Sequence, residues 1–175
     1  MISMSVSRIK IISSALASFV ILTACDKANL DPVTQLKVRL TDAPINAQQV
    51  NLHIKEVRVN LVNDTAWIKL NTNAAIYNLL DYKDGKDTLI AQGTIPATYT
   101  VKELRLLLGD SNTIKMNNDV YPLSVPSGVQ SGIKITVNKK LNKNVETIVL
   151  DFDAALSIVE VGKETYQLNP VVKLK

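Results

Sequence analysis

An all-β sandwich is predicted by three observations. Apolar and polar residues alternate with period two along most of the chain. The apolar positions are rich in β-branched valine and isoleucine. Turn-forming residues interrupt the pattern at short intervals. Leu36, Val38 and Leu40 alternate with Lys37, Arg39 and Thr41 and define a first strand. Val50, Leu52 and Ile54 define the second, and Val57, Val59 and Leu61 resume the row one residue late. Lys55-Glu56 therefore marks a β-bulge or a strand break. Leu104, Leu106 and Leu108 alternate with Glu103, Arg105 and Leu107, and Ile133, Ile135 and Val137 with Lys134, Thr136 and Asn138. Ile148, Leu150 and Phe152 form another inward row, and Tyr166 and Leu168 open a last strand expected to run past Pro170 to Leu174.

Asp42-Ala43-Pro44, Asn63-Asp64, Asp84-Gly85, Gly109-Asp110, Asn117-Asn118-Asp119, Pro126-Ser127-Gly128 and Gly162-Lys163 are the turns between strands. No long helical periodicity competes; Asn46 to Gln49 or Thr72 to Leu80 would hold at most one helical turn.

The first 24 residues have a different character. Arg8 and Lys10 precede an apolar run from Ile11 to Leu22. Roughly 12 residues are too few to span a bilayer, which takes about 20, and match the core of a signal peptide. Leu22-Thr23-Ala24-Cys25, holding the only cysteine, resembles the lipobox of bacterial lipoproteins. That resemblance implies cleavage before Cys25, a thioether-linked lipid on its sulfur and an acylated new amino terminus. Two or more acyl chains anchor stably where one does not. The expectation is a signal peptide over 1–24, a lipidated polar tether over 25–34 and one domain over 35–175. The protein is then held on the bacterial cell envelope, at the outer membrane, facing the periplasm or the surface.

Composition narrows the partners. The chain carries +4 overall, but Arg8 and Lys10 fall in the leader, so the mature chain is near +2. No lysine- or arginine-rich run is interleaved with aromatic residues, which excludes nucleic acid as an expected partner. Lys139-Lys140 with Lys143 is the densest basic spot and suits a solvated hairpin. With Cys25 lipidated, no disulfide can form, and stability rests on the apolar core.

Asp151 and Asp153 are the leading polar constellation. They lie opposite the Ile148–Leu150–Phe152 row, with Cα atoms roughly 6.5–7 Å apart. Asp42 joins them if the first strand ends nearby. Such carboxylates can hold Ca²⁺, a hard cation that takes oxygen ligands, or can accept backbone N–H groups from adjoining loops. The spacing also permits a glycosidase pair, which would need a cleft that nothing in the sequence indicates.

Asp81, Asp84 and Asp87 flank Gly85 without the spacing of an EF-hand loop and suit a solvated turn. His53, the only histidine, falls opposite Leu52 and Ile54 and is expected at the surface. Ser127 lies in a Pro-Ser-Gly turn rather than a nucleophile elbow, so no triad is expected and the protein is read as no enzyme. Trp67, the only tryptophan, could form a sugar-stacking platform with Tyr77 or Tyr82, or pack in the core. Tyr99 and Tyr166 are expected in the core or at its corners.

Several segments together identify a family resemblance. They are Leu40-Thr41-Asp42-Ala43-Pro44, the strand from Val50 to Asn60, Ile95-Pro96-Ala97-Thr98-Tyr99 before Leu104-Arg105-Leu106-Leu107-Leu108, and Val125-Pro126-Ser127-Gly128. Leu150-Asp151-Phe152-Asp153-Ala154 with Ser157-Ile158-Val159 follows, and Tyr166-Gln167-Leu168-Asn169-Pro170-Val171 ends the match. In this order they resemble bacterial lipoproteins of Bacteroidetes type that carry a DUF4382 domain. The resemblance implies a prealbumin-like or immunoglobulin-like β-sandwich, grouped by fold analogy with carbohydrate-binding modules. The functional expectation is a non-catalytic binding module, with a glycan or an envelope protein as ligand. The alternative is a structural or assembly subunit that donates or accepts a strand. Clustered exposed aromatics would favour the first and an open sheet edge the second.

Overall fold

A computed structural model describes residues 32–43, 45–142 and 144–175. The expected signal peptide, Cys25 and most of the tether lie outside the described residues, as do Pro44 and Lys143. Two mixed sheets pack into a β-sandwich, because nearly every strand has one apolar face to bury.

The first sheet is built on β1 (Val33–Asp42). β1 lies between β6 (Thr88–Pro96), antiparallel to it, and β11 (Val145–Phe152), parallel to it. The two-residue β4 (Asn71–Thr72) and three-residue β14 (Val172–Leu174) form its edges. Leu36, Val38 and Leu40 of β1 and Ile148, Leu150 and Phe152 of β11 are buried, as their alternation requires. The strand begins at Val33, earlier than the expected domain start. Val33 and Thr34 already pair with Pro96 and Ile95, and Thr34 is fully buried, so the tether cannot extend to residue 34.

The second sheet is organised by β2 (Gln49–Leu61). On one side lie β7 (Thr100–Leu108) and β8 (Thr113–Met116). On the other lie β3 (Trp67–Lys69) and β5 (Ala75–Asn78). The bulge expected at Lys55-Glu56 is present as a register shift between Ile54 and Glu56. It keeps Leu52 and Ile54 on the same inner face as Val57 and Val59, all four fully buried. β10 (Ile133–Lys140) closes one end of this sheet. β9 (Asp119–Ser124), β13 (Thr165–Leu168) and β12 (Ile158–Gly162) extend the other.

Two expectations are corrected, on the last strand and on the helical turns. The last strand is two strands, β13 and β14, in different sheets. Pro170 has no N–H to continue a ladder, so the chain leaves one sheet at Asn169 and joins the other at Val172. Of the two tyrosines expected in the core or at its corners, Tyr99 is at a corner, 41% exposed at the β6–β7 turn, and Tyr166 is buried against Tyr121. Among the described residues helical structure is confined to a 3-10 turn at Leu79–Tyr82 and two single α-turns, α1 (Ser127–Gln130) and α2 (Ala154–Ser157).

Candidate functional site

The parallel register of β1 and β11 sets Asp42 beside Phe152 and Thr41 beside Asp151, so Asp42, Asp151 and Asp153 share one corner. Asp42 is only 5% exposed. One of its oxygens accepts the Ala154 N–H at 3.1 Å, and the other is buried without a partner. Burial pushes its carboxyl up to about 7. The Ala154 and Ala43 N–H groups oppose the rise, and the charges of Asp151 and Asp153 add to it. Asp153 caps α2 by accepting the Leu156 N–H at 3.1 Å, and Lys173 Nζ lies 3.8 Å from its other oxygen.

The fully buried Ser157 then grips the crossing segment. Its hydroxyl accepts the Val171 N–H at 2.8 Å, while the Asp153 N–H donates to the Val171 carbonyl at 2.9 Å. Of the two readings of these aspartates, backbone acceptance is what Asp42 and Asp153 do. The calcium arrangement is not assembled: among the described residues no three histidine, cysteine or carboxylate side chains are placed to hold a metal ion. Three cavities of the described residues are lined by residues other than Asp42, Asp151 and Asp153.

The expected aromatic platform is divided. Tyr77 pairs across from the inward Leu52, is buried, and donates its hydroxyl to the Asn73 carbonyl; Tyr82 lies against it at 6.3 Å between ring centroids. Trp67 pairs across from Asn60 on the opposite face of the sheet. Eight residues of β2 separate the two pairings, roughly 26 Å of strand. Trp67 instead stacks on the Arg105 guanidinium, 4.1 Å from its ring. Asn60 beneath it donates to the Asp64 and Ala66 carbonyls and so fixes the turn that presents the indole.

Around Trp67 the outer face carries a charge pattern that strand-by-strand reading missed. Lys69 pairs across from Arg58, Arg58 from Arg105, and Arg105 from Lys134. One row across four adjacent strands is therefore cationic. Glu56 forms ion pairs with Arg58 and Lys69, which hold its carboxyl below the usual range. Glu103 stands 3.9 Å from Arg105. The polar half of each alternating strand was legible in the sequence; their alignment required the register.

A concavity of about 540 Å³ lies by the bulge, with Lys55, Asp110, Asn112 and Ser124 among its lining. Asn112 is buried, accepting the His53 N–H and donating to the Gly109 carbonyl. His53 is half-buried rather than at the surface, because its ring packs on the bare Cα of Gly109 and Nδ1 is enclosed without a partner. Asp87, one of the three turn aspartates, pairs with Arg39, and Asp81 accepts from Asn78, around a turn where Asp84 and Gly85 have positive φ.

No curated protein and no solved structure matches the chain. The family model described as "Domain of unknown function (DUF4382)" matches residues 33–170, from the first residue of β1 to Pro170 in the crossing segment. The chain therefore belongs to the DUF4382 family.

Proposed function

We propose that this protein is a lipid-anchored, non-catalytic binding module of the bacterial cell envelope, at the outer membrane, with carbohydrate as its ligand. The leader and Cys25 support the anchor. The observation that carries the ligand class is the Trp67–Arg105 stack on the outer face of β3, β2 and β7. An indole backed by a guanidinium offers an apolar plane for a sugar ring, and the terminal guanidinium N–H groups can donate to hydroxyl or carboxylate oxygens.

A glycan array probed with the domain from residue 31 onward tests the ligand class. A saccharide signal lost in Trp67→Ala is expected, and silence across common polysaccharides removes the reading. Metabolic labelling with palmitate tests the anchor, with label expected on wild type and absent from Cys25→Ser. An unlabelled wild-type protein refutes it.

A protein partner added as a strand is favoured by one specific observation, the edge at β12. Of the other edges, β3 has three residues and β5 four, and the remaining ones are guarded. β4 and β14 are very short, and β10 carries Lys134, Lys139 and Lys140 with a register break after Thr136. β12 has five residues, hydrogen-bonds only to β13, and exposes Val159 and Val161 at 40% and 55%. Its occupant on this reading is an extended partner segment with apolar residues at alternate positions. Short peptides of that pattern, with lysine to face Glu160, should slow amide exchange in Ile158–Gly162. Unchanged exchange rejects this reading.

A further inference from the structure

We infer that the ligand of the Trp67 face is an acidic polysaccharide, whose carboxylates lie along the cross-sheet row Lys69–Arg58–Arg105–Lys134. The inference rests on the carbohydrate reading above and adds the charge class. Residues directly opposite one another on neighbouring strands share a face, and like charges in that position destabilise a sheet. Here three successive cross-strand pairs are cation on cation: Lys69 with Arg58, Arg58 with Arg105, Arg105 with Lys134. A face selected for stability alone would alternate signs.

The compensation is partial and lies at one end. Glu56 serves both Arg58 and Lys69. Arg105 has Glu103 Oε1 at 3.9 Å, too far for a hydrogen bond, and both that oxygen and the Arg105 Nε are buried without a hydrogen-bond partner. Among the described residues Lys134 has no ion-pair partner. At a strand spacing of about 4.8 Å the row runs for roughly 14 Å in a straight line. Trp67 sits in the adjacent row, opposite Asn60.

A line of cations beside an apolar ring complements a linear polymer that repeats an anion and a flat sugar face. Nucleic acid fits less well, because single-strand surfaces interleave several stacking aromatics and this row has one. A membrane surface fits less well too. None of the large exposed apolar side chains lies on β2, β3, β7 or β10, so on these strands Trp67 alone stands beside the row to enter lipid.

The test uses the full-length protein in detergent micelles and isothermal titration. The probes are oligogalacturonate, the same oligomer fully methyl-esterified, oligothymidylate of matching charge, and phosphatidylglycerol–phosphatidylcholine vesicles. Oligogalacturonate is expected to bind with an affinity that falls as salt rises. The ester should bind at least about tenfold more weakly, as loss of charge-assisted hydrogen bonds demands. Lys134→Ala, an exposed truncation that leaves Trp67 and its stack in place, should weaken oligogalacturonate several-fold and leave the ester unchanged. Arg105→Ala should weaken both, since it also frees the indole. Equal binding of acid and ester, both lost in Trp67→Ala, overturns this inference and keeps the carbohydrate reading. Absence of binding to either oligomer counts against both. Oligothymidylate or vesicles binding as tightly as oligogalacturonate overturns the inference in favour of a general polyanion surface.

Discussion

Asp42 makes stability depend on pH in a direction opposite to that of most aspartates. In the folded protein its carboxyl is pushed up to about 7 from 3.8, so between these values the folded state holds a proton that the unfolded state has released. Stability therefore falls as pH rises through this window and levels off above 7. Each pH unit between two pKa values is worth about 1.36 kcal/mol. Between pH 5 and 7 the ceiling is thus about 3 kcal/mol. Water reaching the half-buried Asp151 and Asp153 screens part of it, which leaves roughly 1–2 kcal/mol.

Asp42→Asn carries no charge at any pH and retains an oxygen for the Ala154 N–H. Urea unfolding of the domain from residue 31 onward, followed by Trp67 fluorescence at pH 5, 6, 7 and 8, measures the effect. The wild type should lose about 1–2 kcal/mol relative to Asp42→Asn across this range. The difference between the two proteins cancels other titrating groups; Glu56, held low by Lys69 and Arg58, acts only on the acid side of the range. A constant difference from pH 5 to 8, or one that grows in the wild type's favour, refutes the assignment of Asp42 as the buried proton-holding carboxyl.

Two further outcomes follow from close contacts. Gly109→Ala should destabilise the domain by about 1–3 kcal/mol, because a Cβ there overlaps the His53 ring. Most of that loss should vanish in a His53→Ala background when both are compared by urea midpoint, and additive losses would show that the ring is not the obstacle. Tyr77→Phe should cost about 0.5–1.5 kcal/mol, through loss of the bond to the Asn73 carbonyl. The same variant should leave any saccharide affinity unchanged by titration, and a large drop in affinity would reinstate Tyr77 as part of a platform.

The alternation of Leu36, Val38 and Leu40, and the one-residue slip at Lys55-Glu56, determined by themselves that the chain forms a sandwich of strands and where β2 bulges. Side-chain period and burial are local properties of an extended backbone, so they can be read without knowing any partner strand. The meeting of Asp42 with Asp151 and Asp153 was legible only as a condition, that the first strand end near the Ile148–Phe152 row, and the parallel register meets it. What those aspartates do was decided by the fold. Only the parallel docking of β1 on β11 aims Asp42 at the Ala154 N–H, and only the crossing at Pro170 gives Ser157 a chain to hold.

The separation of Trp67 from Tyr77 and the cationic row from Lys69 to Lys134 were likewise decided by tertiary structure. Both depend on which strands are neighbours and in what register, and strand pairing is non-local: residues 58, 69, 105 and 134 become a line only when four distant segments hydrogen-bond side by side.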